Sequence, residues 1–155
     1  MGSPVTQPAL VYLDSNVFIA AMENPGAHSD HAWWIIRAVE EGEIGAVTSE
    51  ITIAEVLVKP IQLGNDSFVS AYEEMIASSA HFEVLPVRRD ILVQAAQLRA
   101  RRSSIRLPDA IHIATALTAS CRCIVSDDQR LHSLENIKAF AVTPFTLDEI
   151  RAGSR

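Results

Sequence analysis

No uncharged run in this 155-residue chain reaches the roughly 20 apolar residues that cross a bilayer. Residues 110–121, free of Asp, Glu, Lys and Arg, number only twelve and include a histidine. No basic segment followed by an apolar run opens the chain, so no secretory signal is expected, and residues 1–8 read as a leader or expression remnant. Cysteine is scarce. Cys121 and Cys123 lie too close to staple a fold, and one C-x-C pair lacks the second ligand pair of a zinc site, so a reduced, cytoplasmic protein is expected. Neither G-x-G-x-x-G nor G-x-x-x-x-G-K-[ST] occurs, which argues against a nucleotide-binding module. Basic charge is also short. Thirteen Lys and Arg face nineteen Asp and Glu, and the net −6, taken alone, argues against a protein that holds nucleic acid by bulk electrostatics. What is present is apolar: 48% hydrophobic residues suffice for one buried core, and the length suits a single domain over about residues 9–150 with a short tail at 151–155.

Strand-like and helix-like segments alternate. Residues 9–14 form a short apolar run ending in an acid, as suits a strand covered on both faces. A helix is expected over 15–22, stopped by Asn24-Pro25-Gly26, and another over 29–42, where Ala32, Ile35, Ile36 and Val39 repeat at helical spacing. Residues 44–49, 82–87, 122–126 and 137–142 read as further strands. Helices are expected over 50–63, at least to Lys59-Pro60, and over 66–79 and 88–102. Another follows from Pro108, taken as the first helical position, to 119, and a terminal turn over 146–151. Such alternation predicts an α/β fold with a mostly parallel sheet and helices on both faces, whose functional crevice lies beyond the carboxyl ends of the strands.

Acids stand where those ends should be. Asp14 closes the first strand, Asp127 and Asp128 follow the fourth, Glu55 lies among apolar residues after the second, and Asp109 opens the helix that feeds the fourth. Singly, each has a structural explanation: a helix cap, a capping box (Thr52-x-x-Glu55), a dipole partner or a turn residue. Together they imply more, because capping does not require every helix start to lie at one end of the sheet. Carboxylates about 5 Å apart repel by about 3 kcal/mol per pair at an effective dielectric near 20. A set of oxygen ligands without Cys or His favours Mg²⁺ or Mn²⁺ over zinc as the compensating charge. Such an ion supplies an activated water and stabilises a displaced oxygen, the usual means of hydrolysing a phosphodiester.

In this order and at this length, the Leu13-Asp14-Ser15-Asn16 start, the Ala54-Glu55-Val56 segment, the Asp109-Ala-Ile-His-Ile-Ala-Thr-Ala116 helix and the Val125-Ser126-Asp127-Asp128 strand end resemble a PIN domain, the metal-dependent ribonuclease fold of VapC-type toxins. The resemblance spans about residues 9–145 and implies a three-layer α/β/α fold with about five strands. It also implies one or two Mg²⁺ or Mn²⁺ ions and hydrolysis of RNA, with an antitoxin protein and a second copy of the chain as partners. Carried over, Asp14, Glu55 and Asp109 match the first three acids. Asp128 matches the fourth, with Asp127 a close rival that the motif leaves open. Asp14 and Asp109 would be the principal ligands, with Glu55 and Asp128 completing the shell through water or helping to deprotonate the nucleophile. Ser15, Asn16 and Ser126 would orient carboxylates or water around them.

Six arginines fall within residues 88–106, and of these Arg99, Arg101, Arg102 and Arg106 are the candidates for RNA-backbone contact, against the alternative of a solvated helix face. A non-catalytic PIN-like binding module is a second reading. An aspartyl-nucleophile phosphatase is a third, weakened because Asn16 stands where its second acid would be. His112 is expected to be a packing histidine, although it lies one turn after Asp109. The His28/His31 pair lacks further zinc ligands. Of the adjacent Trp33 and Trp34, only one can face the core. Cys121 and Cys123 are expected on the same side of a strand as small apolar residues.

Overall fold

The computed structural model describes residues 8–134 and 136–153. Residues 1–7 of the expected leader therefore lie outside the described residues. The elements run β1 (Leu10–Leu13), α1 (Ser15–Met22), α2 (Ala27–Glu40), β2 (Gly45–Ser49), α3 (Ile51–Val56), α4 (Val58–Gln62), α5 (Asp66–Met75), β3 (Phe82–Leu85), α6 (Arg89–Arg101), α7 (Leu107–Thr118), β4 (Cys123–Val125), β5 (Lys138–Phe140) and α8 (Thr146–Ala152). A 3₁₀ turn at Gln129–Ser133 follows β4. Among the described residues, no helix is long and apolar enough to cross a membrane.

The five strands are all parallel, in the order β3-β2-β1-β4-β5. β1 is central and buried on both faces because its alternate side chains serve two cores. Val11 and Leu13 join Val17, Phe18, Ile35 and Val39 on the side of α1 and α2. Tyr12 joins Ile113, Ala116 and Ile124 on the side of α7. A further cluster of Ile91, Ala95, Ala110 and Ile111 fastens α6 onto α7. This is the expected three-layer α/β/α arrangement. The chain leaves β1 toward β2 and β3, then returns to add β4 on β1's other edge. The reversal opens a crevice between the carboxyl ends of β1 and β4.

Local chemistry shifts several expected boundaries. The single helix expected over 50–63 is two, α3 and α4, parted at Leu57. Pro60 explains the break: it has no N–H to give the Val56 carbonyl, and its ring crowds that carbonyl. α5 ends at Met75, four residues early, because the next segment bonds to β3 instead, with Ser79 N–H reaching the Phe82 carbonyl and Ser78 Oγ accepting from Val84 N–H. Pro108 occupies the second rather than the first position of α7, still within the turn whose N–H groups need no helical partner. Trp33 is partly buried and donates Nε1–H to the Ala21 carbonyl, while Trp34 lies exposed against His31. The two cysteines correct the expectation of a shared face. Cys121 precedes β4 and packs with Tyr12 and Ile124, whereas Cys123 packs with Val11 and Val125 in the opposite core.

Candidate metal centre

Asp14 is the first residue past β1 and caps α1, with extended backbone angles and Oδ1 accepting from Ser15 N–H at 2.8 Å. Its Oδ2 is held from the neighbouring strand: Ser126, just past β4, donates Oγ–H at 2.7 Å, and Asn16 donates Nδ2–H at 3.1 Å. Ser126 Oγ also accepts from Asn16 Nδ2 and from Asp128 N–H, both at 3.0 Å, and Asp127 N–H reaches Asn16 Oδ1. Ser15, Asn16 and Ser126 thus stitch the two strand ends together around one carboxylate. Its side chain is only 8% exposed. Burial pushes the pKa of Asp14 up, against the opposing pull of His112, Ser126 and the Ser15 amide.

Glu55, from α3, enters from the side and remains one-third exposed. Its Oε1 meets His112 Nε2, and the same nitrogen lies 3.4 Å from Asp14 Oδ1. The expectation for His112 needs correcting here: the ring is buried and packed edge-on to Tyr12, but its inner nitrogen faces the acids. The sequence held the signal, since the spacing of three from Asp109 places both on one face of α7. Burial lowers the tendency of the imidazole to charge, but the Glu55 hydrogen bond and the Asp14 charge outweigh it and its pKa rises. Behind it, Tyr12 Oη lies 2.5 Å from Nδ1, its own pKa driven well up by burial and then by the Asp14 charge. Asp14, Glu55 and His112 each offer a ligand atom, and these atoms all lie within 4.8 Å of one another.

The remaining acids sit beside this trio, each with a partner. Asp109, in the first turn of α7, meets Arg106 Nε at 3.3 Å and Arg130 Nη2 at 4.0 Å. Asp128 caps the 3₁₀ turn and is gripped by Arg130, whose Nη2 lies 2.6 Å from Oδ2 and Nε 2.9 Å from Oδ1. That guanidinium holds the Asp128 carboxyl below the usual range, against the opposite push of partial burial. Asp127 is turned elsewhere: Oδ1 accepts from Val142 N–H at 2.8 Å and Oδ2 pairs with His28 at 2.8 Å. Sequence reasoning passed over Arg130 altogether. Of the arginines it named, Arg99 bonds the Ile105 carbonyl, Arg102 ties α6 to Ser133, and Arg106 faces Asp109. Arg101 lines a cavity with Arg102 and Ser133. A smaller cavity, about 130 Å³, opens beside Asp109 and Arg130 and is also lined by Arg102 and Ser104. A cavity of about 700 Å³ lies far from the acids, at the amino ends of β4 and β5 around Arg122 and Lys138.

The residues fit a divalent cation. Buried carboxylate oxygen and imidazole nitrogen converge, and Asp14 is held in one orientation by three donors. Comparison with known proteins agrees with this architecture. No curated protein matches the chain. Among solved structures, a toxin–antitoxin complex from Klebsiella pneumoniae aligns with TM-score 0.61 at 21% identity, over 86% of this chain and 97% of that one. VapBC2 from Rickettsia felis, bound to a DNA fragment from its promoter, aligns with TM-score 0.68 at 13% identity, over 86% and 99%. Mycobacterium tuberculosis VapC20, described as a Sarcin-Ricin loop cleaving toxin, aligns with TM-score 0.59 at 18% identity, over 83% and 98%. At these identities the likeness is one of fold. Residues 11–137 match the family described as PIN domain, and since they make up most of the chain, the protein belongs to the PIN domain family.

Proposed function

We propose that the protein is a divalent-metal-dependent endoribonuclease, the toxin of a toxin–antitoxin pair. The carrying observation is the meeting of Asp14, Glu55 and His112 at the topological switch point, with Asp109 one turn away on the same face of α7, in a chain of the PIN family. Asp14 and Asp109 are the principal ligands, with Glu55 and Asp128 completing the shell for one or two Mg²⁺ or Mn²⁺ ions. A bound cation of this kind lowers the pKa of water and stabilises the charge on the displaced oxygen of a phosphodiester. The protein's own groups prepare the site. Ser126 and Asn16 fix the Asp14 carboxylate, while Arg106 and Arg130 balance Asp109 and Asp128. The Arg102–Arg130 cleft beside them suits an RNA backbone, whose phosphates need only a few guanidinium contacts.

Support for a protein partner comes from the neighbour described as a toxin–antitoxin complex from Klebsiella pneumoniae. Homodimerisation belongs to the same reading. The phosphatase alternative is disfavoured because Asn16 spends its amide between Asp14 and Ser126. The deciding experiment is cleavage of total cellular RNA with EDTA, Mg²⁺ or Mn²⁺. Activity should need the metal and fall by orders of magnitude in Asp14→Asn and in Asp109→Asn. Two variants that both cut like the parent would remove the assignment.

A further inference from the structure

The acids alone do not describe the innermost ligand set. His112 Nε2 lies 3.4 Å from Asp14 Oδ1 and touches Glu55 Oε1, and all three atoms fall within 4.8 Å of one another. Around an octahedral ion with bonds near 2.1–2.2 Å, adjacent ligand atoms stand about 3 Å apart and opposite ones about 4.3 Å. His112 Nε2 and Asp14 Oδ1 stand near the adjacent spacing, and Glu55 Oε1, in hydrogen-bond contact with Nε2, would draw back to reach it. Asp14 has its outer oxygen taken by Ser126 and Asn16, which leaves Oδ1 as the oxygen facing the imidazole. Asp109 and Asp128, by contrast, face Arg106 and Arg130.

The imidazole is also backed as a ligand should be. Tyr12 Oη sits 2.5 Å from Nδ1, and both side chains are fully buried, so the ring cannot turn away. Metal-binding histidines carry such a partner on the far nitrogen, which fixes the tautomer and aims the near one.

We propose that His112 is a direct metal ligand through Nε2, forming with Asp14 and Glu55 an inner mixed nitrogen–oxygen position that takes Mn²⁺ in preference to Mg²⁺. This deepens the metal-site reading above and rests on it. Magnesium is hard, prefers oxygen donors and dehydrates reluctantly, whereas first-row transition ions accept imidazole readily. Holding an ion through Nε2 would need that nitrogen free of hydrogen, so a proton shared there with Glu55 would go to solvent, and Nδ1 would keep its hydrogen toward Tyr12 Oη.

The test is pulsed electron paramagnetic resonance on the full chain with Mn²⁺, prepared once with natural-abundance histidine and once with ¹⁵N-labelled histidine. Modulation from a directly bound nitrogen, changing with the label, is expected, together with at least tenfold tighter binding of Mn²⁺ than Mg²⁺ in calorimetry. His112→Gln should lose the nitrogen signal and at least tenfold in Mn²⁺ affinity. If that variant fails to fold, the labelled parent decides alone. Bound Mn²⁺ without nitrogen coupling, or equal affinity for the two ions, overturns the assignment of His112 and leaves the nuclease reading intact. No Mn²⁺ binding at millimolar concentration overturns both. Nitrogen coupling in a protein that cuts no RNA upholds the ligand assignment and sinks the nuclease.

Discussion

Replacing Asp14 by Asn tests whether this carboxylate is kept for the fold or despite it, because two effects of similar size oppose each other. Burial raises the pKa of Asp14, so the folded protein prefers the neutral form. Each pKa unit of such elevation amounts to about 1.4 kcal/mol, which a neutral amide recovers at pH 7. Against this stand three accepted hydrogen bonds, from Ser15 N–H, Asn16 Nδ2 and Ser126 Oγ. An amide oxygen in the place of Oδ2 keeps the last two, and its NH₂ then takes the Oδ1 place, facing Ser15 N–H and the His112 imidazole. Only the helix-start bond to Ser15 is lost, at about 1 kcal/mol. Without metal, Asp14→Asn should therefore stay within about 1 kcal/mol of the parent, while Asp14→Ala, which strips buried donors of their acceptor, should lose about 2–4 kcal/mol. The pH dependence has a definite sign. The folded pKa of Asp14 lies above 3.8, so its contribution weakens the fold as pH rises from 3.8 through the raised value. His112 acts in the same sense: its stabilisation is complete below 6.5 and is lost as pH climbs through its own raised value. Urea unfolding in EDTA should show stability declining in the parent as pH rises from 3.8 through the raised values of the two groups, and a shallower decline in Asp14→Asn. An Asn variant as unstable as the Ala variant, or parent stability that climbs with pH over this span, would refute the reasoning.

Ser126→Ala removes a buried hydroxyl that serves Asp14, Asn16 and the Asp128 amide, so it should cost about 2–3 kcal/mol in urea unfolding. Tyr72 is buried with its hydroxyl unpartnered, and burial, aided by the Glu23 charge, pushes its pKa up to about 12. Tyr72→Phe should be neutral or stabilising by up to about 1 kcal/mol, and a loss above that would reveal a partner for the hydroxyl. Gly42→Ala should cost at least about 1 kcal/mol of thermal stability, since φ is +74° and the new Cβ would come within 2.7 Å of the His81 ring.

The parts of the site legible in the sequence are those that a short segment specifies. An apolar run stopped by Asp14, and Asp109 placed just behind Pro108, locate a strand end and a helix start with no knowledge of the rest of the chain. The choice between Asp127 and Asp128 was not legible. Two neighbouring acids have opposite surroundings, and what separates them comes from afar: Val142 and His28 claim Asp127, while Arg130 claims Asp128. His112 was half legible. Helical spacing sets it on the Asp109 face, but only the depth at which α7 packs under β1 turns a core position into one that touches Asp14 and Glu55. The cysteines failed for a smaller reason. β4 begins at Cys123, so alternation along the strand says nothing about Cys121 before it.

These surroundings lead to an expectation about metal removal. Four carboxylates near one crevice in a chain of net charge −6 would be expected to fold poorly without a cation. The compensation is instead built in. His112 lies against Asp14 and Glu55, Arg130 grips Asp128, and Arg106 and Arg130 together face Asp109. Three side chains supply the positive charge that a divalent ion would supply, so the fold should not depend on the ion, unlike small domains whose metal is part of the core. Exhaustive EDTA treatment should leave a cooperative thermal transition in place. Adding Mn²⁺ to about a hundred times its dissociation constant should then stabilise the protein by about 2.7 kcal/mol, the mass-action value for one site that exists only in the folded state. Asp14→Asn should lose most of that increment while keeping the transition in EDTA. Unfolding of the parent by the chelator alone would show that the arginines and His112 do not balance the acids, and the electrostatic account of the site would fail with it.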